Sequence, residues 1–173
     1  MNIDKHSLAH EIDRAFPFVR MPAPDEIPHH RGGCPTCEQL VIDLDVFRGK
    51  AIGADAIREL HQEMSHLSAE AWRWILPHYL RYCLTPEAEY SSFETEFLIY
   101  SLSPVEAFEA DTVSRLALLS SDQIRVLREF LLYLSSVDYW KNYCPNEIDR
   151  GVAFLTSILA GGTETGTGPG SRC

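Results

Sequence analysis

The stretch His29-His30-Arg31-Gly32-Gly33-Cys34-Pro35-Thr36-Cys37 holds the residue types most able to do chemistry. A Cys-x-x-Cys pair places two thiolates where they can bind one zinc ion, and a neighbouring histidine adds a neutral nitrogen. Gly32 and Gly33 let the backbone curl toward a metal. His30 is the preferred nitrogen, because its shorter loop to Cys34 closes a compact chelate. His29 points to the other side of an extended arm and can serve as the fourth ligand if the chain turns there. A second Cys-x-x-Cys pair is missing, so Cys83, Cys144, His78, His61 and His10 are the remaining residues that could complete the shell. The expected ligands are therefore His30, Cys34, Cys37 and His29, and the expected ion is zinc.

The same cysteines admit two other readings. Reduced, they can pack as small hydrophobes. At a helix start, a Cys-Pro-Thr-Cys dithiol would have a lowered thiol pKa and redox activity. That motif belongs after a buried strand, whereas here it follows a proline-rich arm, so structural zinc is favoured.

Other groups point less sharply. Trp72, Trp74, Tyr79, Tyr82, Tyr139 and Trp140 sit at helical spacing, which reads as core before pocket. His78 beside Pro77 reads as an ordinary histidine at a kink. Glu87, Glu89, Glu94 and Glu96 lack calcium-loop spacing and read as a solvated face. The sequence contains no Gly-rich phosphate loop, no nucleophile elbow and no His-Glu-x-x-His helix.

These residues have to be positioned by helices. Leu8, Ile12 and Phe16 repeat every fourth residue over Asp4–Phe16. Pro17, Pro22, Pro24, Pro28 and Pro35 then forbid regular helix, leaving an irregular arm with few apolar groups. The pattern predicts helices over Thr36–Phe47, with Gly49 as breaker, and over Ala54–Met64. Ser68 caps the next helix, with Leu67 and Trp72 at hydrophobic-staple positions. Pro77 is expected to kink or split that helix. Ser92–Tyr100 reads as a helix that could also suit a strand. Ser103-Pro104-Val105-Glu106 and Ser120-Ser121-Asp122-Gln123 both read as capped helix starts, and Pro145-Asn146 opens the last helix. The expected architecture is all-α: an irregular helical bundle with a proline-rich N-terminal arm. One domain over residues 1–160 would be followed by a disordered Gly-rich tail over 161–173.

Composition limits the function. Hydrophobic residues are 45% and charged residues 23% of the 173, the balance of a globular chain. The net charge of −10 disfavours nucleic acid and anionic lipid as partners and suits a basic protein partner, or solubility alone. No signal peptide and no membrane-length apolar run is visible. Five cysteines, an odd number, argue against a complete disulfide framework and for a reducing cytoplasm. Oligomeric state is not encoded in any pattern found.

Several elements together resemble a known family. His29-His30 before Cys34-x-x-Cys37, then Phe47-Arg48-Gly49-Lys50, then Leu76-Pro77-x-Tyr79-Leu80, are similar to an uncharacterised family of small bacterial proteins. Leu119-Ser120 with Gln123, and Phe130-Leu131-x-Tyr133-Leu134, extend the likeness across Ile12 to Leu134. The family has no assigned activity, so the resemblance implies a fold and no reaction. The expected function is a non-enzymatic binding or accessory protein with a structural Cys/His zinc knuckle. The alternative is a small metal- or thiol-dependent enzyme using Cys34 and Cys37. Four protein ligands would favour the first, and three ligands with an open position on a pocket the second.

Overall fold

A computed structural model describes residues 4–30, 32, 34–60, 64–91 and 93–161. Among them the chain forms ten α-helices and no strand. They are α1 (Lys5–Ala15), α2 (Pro35–Asp45), α3 (Ala54–Leu60), α4 (Ala69–Cys83), α5 (Pro86–Ser91), α6 (Phe93–Leu102), α7 (Glu109–Leu116), α8 (Ser121–Leu134), α9 (Asp138–Tyr143) and α10 (Pro145–Gly161). The fold is all-α, as the periodicity predicts. Of the expected tail, residues 162–173 lie outside the described residues, as does His61.

Local chemistry explains where the main helices start. Asp4 caps α1, its carboxylate accepting from the amides of His6 and Ser7 at 3.0 Å each. Ser120 and Gln123 form a complete capping box on α8: the Gln123 amide donates to Ser120 Oγ at 3.3 Å, and the Ser120 amide to Gln123 Oε1 at 2.9 Å. Ser68 Oγ accepts from the Ala71 amide at 3.1 Å and caps α4. The helix expected to run to Phe47 ends at Asp45, and Gly49, with φ +75, lies in the turn that follows it.

The core is built on α4 and α8. Helix α8 packs along α10 and α1, while α4 packs on α1, α3, α5 and α7. Trp72, Ile75, Leu76, Tyr79 and Leu80 of α4, and Val126, Leu127, Phe130 and Leu131 of α8, are fully buried. Two buried polar tips are satisfied by backbone: Trp72 Nε1 donates to Met64 O and Tyr79 Oη to Glu94 O, both at 2.9 Å.

Several expectations need correction. The helix around Pro77 is not split: α4 runs unbroken from Ala69 to Cys83. An interior proline costs about 3 kcal/mol, but each large apolar side chain buried along α4 contributes about 1.5–3 kcal/mol. The packed face outweighs the lost donor. Ser103 is not a helix cap. Its amide donates to Tyr100 O at 3.2 Å as α6 ends, and the chain passes through a 3₁₀ turn at Glu106–Phe108 before α7. The segment before it is helical, but its buried residues include Leu98, Ile99 and Leu102, while Phe93 and Tyr100 are exposed. The helix expected over Ala54–Met64 ends at Leu60, with Met64 in a separate 3₁₀ turn. The acidic stretch is not wholly solvated: Glu94 is only 4% exposed and lies 3.9 Å from Arg58 Nε.

The arm between α1 and α2 is irregular, as its prolines dictate, but better anchored than its composition implies. Ile27 is 0% exposed, and Phe16 and Pro22 are buried. Arg48 Nη1 donates to Pro22 O at 3.0 Å. Pro28 forms an isolated antiparallel bridge with Leu67, flanked by Ser68 N to Ile27 O at 2.9 Å and His29 N to His66 O at 2.7 Å.

Candidate metal centre

The bridge to Leu67 sets the direction in which the histidines leave the arm. Ser68, besides capping α4, donates its hydroxyl to Glu26 O. One side chain therefore fixes both the start of α4 and the strand of arm that precedes His29. Beyond His30, Gly32 has a φ of +78 that suits glycine, while Gly33 lies outside the described residues. Cys34 is the N-cap residue of α2, Pro35 stands at its first position, and Cys37 lies in the first turn on the buried face.

This places one nitrogen and two sulfurs together. The ligand atoms of His30, Cys34 and Cys37 all lie within 4.8 Å of one another, so the group could hold a metal ion. Cys37 Sγ is 3.7 Å from His30 Nδ1. A tetrahedral zinc, with Zn–S near 2.3 Å and Zn–N near 2.1 Å, separates its sulfur and nitrogen ligands by about 3.6 Å. The spacing also matches a weak thiol–imidazole hydrogen bond, which is what the pair would make without metal. Burial grades across the group: His30 is exposed, Cys34 half-buried and Cys37 2% exposed.

The helix start supplies electrostatics. The Cys34 thiol is held below its ordinary value of 9.0, chiefly by the Cys37 backbone amide and then by the Cys37 side chain, with the Thr36 amide adding to them. Exposed amides at a helix N-terminus favour a thiolate, the form that binds metal. Cys83 and Cys144 show the opposite. Burial pushes their thiols up to about 12 and about 11, and neither joins the group.

His29 stands beside the group, with its ring in edge contact with His30 at 5.0 Å between centroids. Its pKa is lowered, first by burial and then by the nearby Arg115. Like His29, the sequence candidates His10 and His78 are not among the three gathered residues. Sequence reasoning missed His66, whose ring centroid lies 6.1 Å from that of His30. No motif marks it, since only the backbone pairing with the arm brings it there.

His30 and His66 also line one wall of a cleft of about 630 Å³ that runs between α6, α7 and α10. Its other walls carry Phe97, Tyr100, Phe108, Arg115 and Arg150. The candidate metal corner therefore meets this cleft through His30.

A family model matches residues 46–145, more than half of the chain. The chain belongs to DUF6714, a family of unknown function. No curated protein and no solved structure matches it. The DUF6714 match takes in Phe47–Lys50, Leu76–Leu80, Leu119–Gln123 and Phe130–Leu134, four of the elements that carry the resemblance in the sequence. It starts after Cys37, so the histidine–cysteine corner lies outside the DUF6714 segment, whereas most of the cleft lies within it. Among the described residues, no helix is long and apolar enough to cross a membrane.

Proposed function

We propose that this DUF6714 protein is a non-enzymatic binding or accessory protein in which His30, Cys34 and Cys37 hold a structural zinc ion. The observation that carries the reading is the gathering of three zinc-type ligand atoms within 4.8 Å, with a sulfur–nitrogen spacing of 3.7 Å. Zinc would tie the start of α2 to the bridged arm and fix the turn through Gly32. The arm already has Ile27 and its backbone bonds, so the metal's role is local to residues 30–37. A chain of net charge −10 suits a basic protein partner in a bacterial cytoplasm, and repels nucleic acid and anionic lipid.

Elemental analysis of gently purified full-length protein tests the metal. Close to one zinc per chain is expected, and Cys37→Ser abolishes it. Cys34→Ser should expose the 30–37 segment to protease while α4 and α8 stay protected. A folded, equally stable, metal-free preparation would overturn the zinc reading.

A second reading has one observation in its favour. His30, one of the three gathered ligands, lines the cleft. A fourth position open to that cleft would suit a metal-dependent enzyme. X-ray absorption of the zinc-loaded protein separates the two readings. Outer-shell scattering counts the imidazoles: two sulfurs with two imidazoles mean a closed structural site, and two sulfurs with one imidazole and one further light atom mean an open one.

A further inference from the structure

The cleft has a chemistry of its own, distinct from the thiols. Two arginines line it against a single acidic residue, Asp111. In a chain of net charge −10, a pocket with a cationic surplus runs against the composition. Neither arginine makes an ion pair among the described residues. Arg150 Nε donates to Ser103 O at 2.8 Å, which anchors that guanidinium at the join of α6 and α10. Arg115 Nε is buried with no hydrogen-bond partner among the described residues, and burial disfavours its charged form. Ser103, 2% exposed, also lines the cleft, and its hydroxyl is likewise unpartnered. Buried donors without acceptors are rare in folded proteins, and here two of them border one cavity.

We propose that this cleft binds a small organic oxyanion, a carboxylate or a phosphate monoester. Its charged end is held by Arg115 and Arg150 with help from the Ser103 hydroxyl. A planar guanidinium presents several donors in a fork that matches both kinds of oxyanion. The apolar body of the ligand packs on Phe97, Tyr100 and Phe108, of which Tyr100 and Phe108 are substantially exposed. A cavity of about 630 Å³ accommodates a molecule of one ring with its charged group. Nothing in this arrangement requires metal, so it stands apart from the zinc reading.

The test uses the full-length protein as purified, with benzoate, phenyl phosphate and neutral benzyl alcohol at constant ionic strength. Thermal unfolding and calorimetric titration are the readouts. At about a hundredfold excess over Kd, the preferred anion should raise Tm by about 5–10 °C, and benzyl alcohol should not. The larger response of the two anions distinguishes carboxylate from phosphate. Arg115→Gln, which breaks no hydrogen bond or ion pair among the described residues, should weaken the preferred anion at least tenfold, while Arg14→Gln, at an exposed position of α1, leaves it unchanged. Phe108→Ala should weaken it less. The proposal is overturned if neither anion shifts Tm, if benzyl alcohol shifts it equally, or if Arg115→Gln retains the full response. Zinc content is read separately, so loss of anion binding and loss of metal are different results.

Discussion

The α4–α8 centre and the arm that carries the Cys–His corner are held by different forces. In the centre, Trp72, Tyr79 and Phe130 are among the largest fully buried side chains, and its order comes from apolar area. Hydrogen bonds there satisfy polar tips and do little positioning. The arm buries Phe16, Pro22 and Ile27, and its path follows hydrogen bonds to distant segments: Ser68 to Glu26 and Ile27, His29 to His66, and Arg48 to Pro22. Each such bond nets about 1 kcal/mol. Damage to the centre should unfold the molecule, and damage to the arm should release a segment. The family match sharpens the contrast, since it takes in the centre and leaves out the corner.

The largest expected effect tests the centre. Trp72→Ala removes a fully buried ring and the donor to Met64 O, and should cost about 3–5 kcal/mol in a denaturant titration. A loss below about 2 kcal/mol would break the contrast, because area would then not dominate there. Gly151→Ala comes next. A methyl group at this point of α10 would run into Ser103 Oγ and Leu131 Cδ1 and stand 3.1 Å from the Leu102 carbonyl. Overpacking costs about 1–3 kcal/mol, against a helix-propensity gain of up to about 1 kcal/mol for alanine over glycine. A net loss of stability is expected, seen as a lower denaturation midpoint. A gain would mean that α6 and α10 can separate without penalty.

The contrast also explains what could be read from the sequence. Ser68, Ser120 with Gln123, and the stripe through Ile124, Leu127, Leu131 and Leu134 were legible because caps and helical periodicity are written within a few residues. Ser103 carried the same local signal and misled, because its surroundings in the fold are α10 and the cleft. Helices α5 and α9 are six residues each, too short for a periodic stripe. Of the candidate corner, Cys34, Cys37 and His30 were legible because the chelate lies within eight residues of chain. His66, Arg115 and Arg150 were not, since pairing across the fold brings them together. Glu94 looked solvated because its sequence neighbours are acidic, whereas it packs inward beside Arg58.

Paired cap substitutions measure the difference between the two regions directly. Ser120→Ala removes the side-chain half of a local cap and should cost about 1 kcal/mol. Ser68→Ala removes the same kind of cap and also the donor to Glu26 O, so it should cost about 1 kcal/mol more. Only Ser68→Ala should make the arm more sensitive to protease. Equal costs with an equally protected arm would mean that the hydroxyl does not fasten it.

The smallest effect concerns Asp4, which caps α1 where that helix packs on α8 and α4. Its carboxyl is held below the ordinary value of 3.8, first by the Ser7 hydroxyl at 2.6 Å and then by the Ser7 amide, with His6 contributing less. A carboxyl with a folded pKa below its unfolded one stabilises the fold fully above the unfolded value. That contribution is lost as pH falls through the folded value. Asp4→Asn keeps an oxygen acceptor for the amides but removes the charge. The stability difference between wild type and Asp4→Asn should therefore be constant above about pH 5 and shrink below about pH 4. Other titrating carboxylates, such as Glu11 beside Arg14 and Arg125, occur in both proteins and cancel in that difference. Because α1 belongs to the apolar centre, the substitution should leave zinc content and arm protection unchanged. A difference that stays flat through pH 3 would show that Asp4 acts through its hydrogen-bond geometry alone, and that charge contributes nothing at this cap.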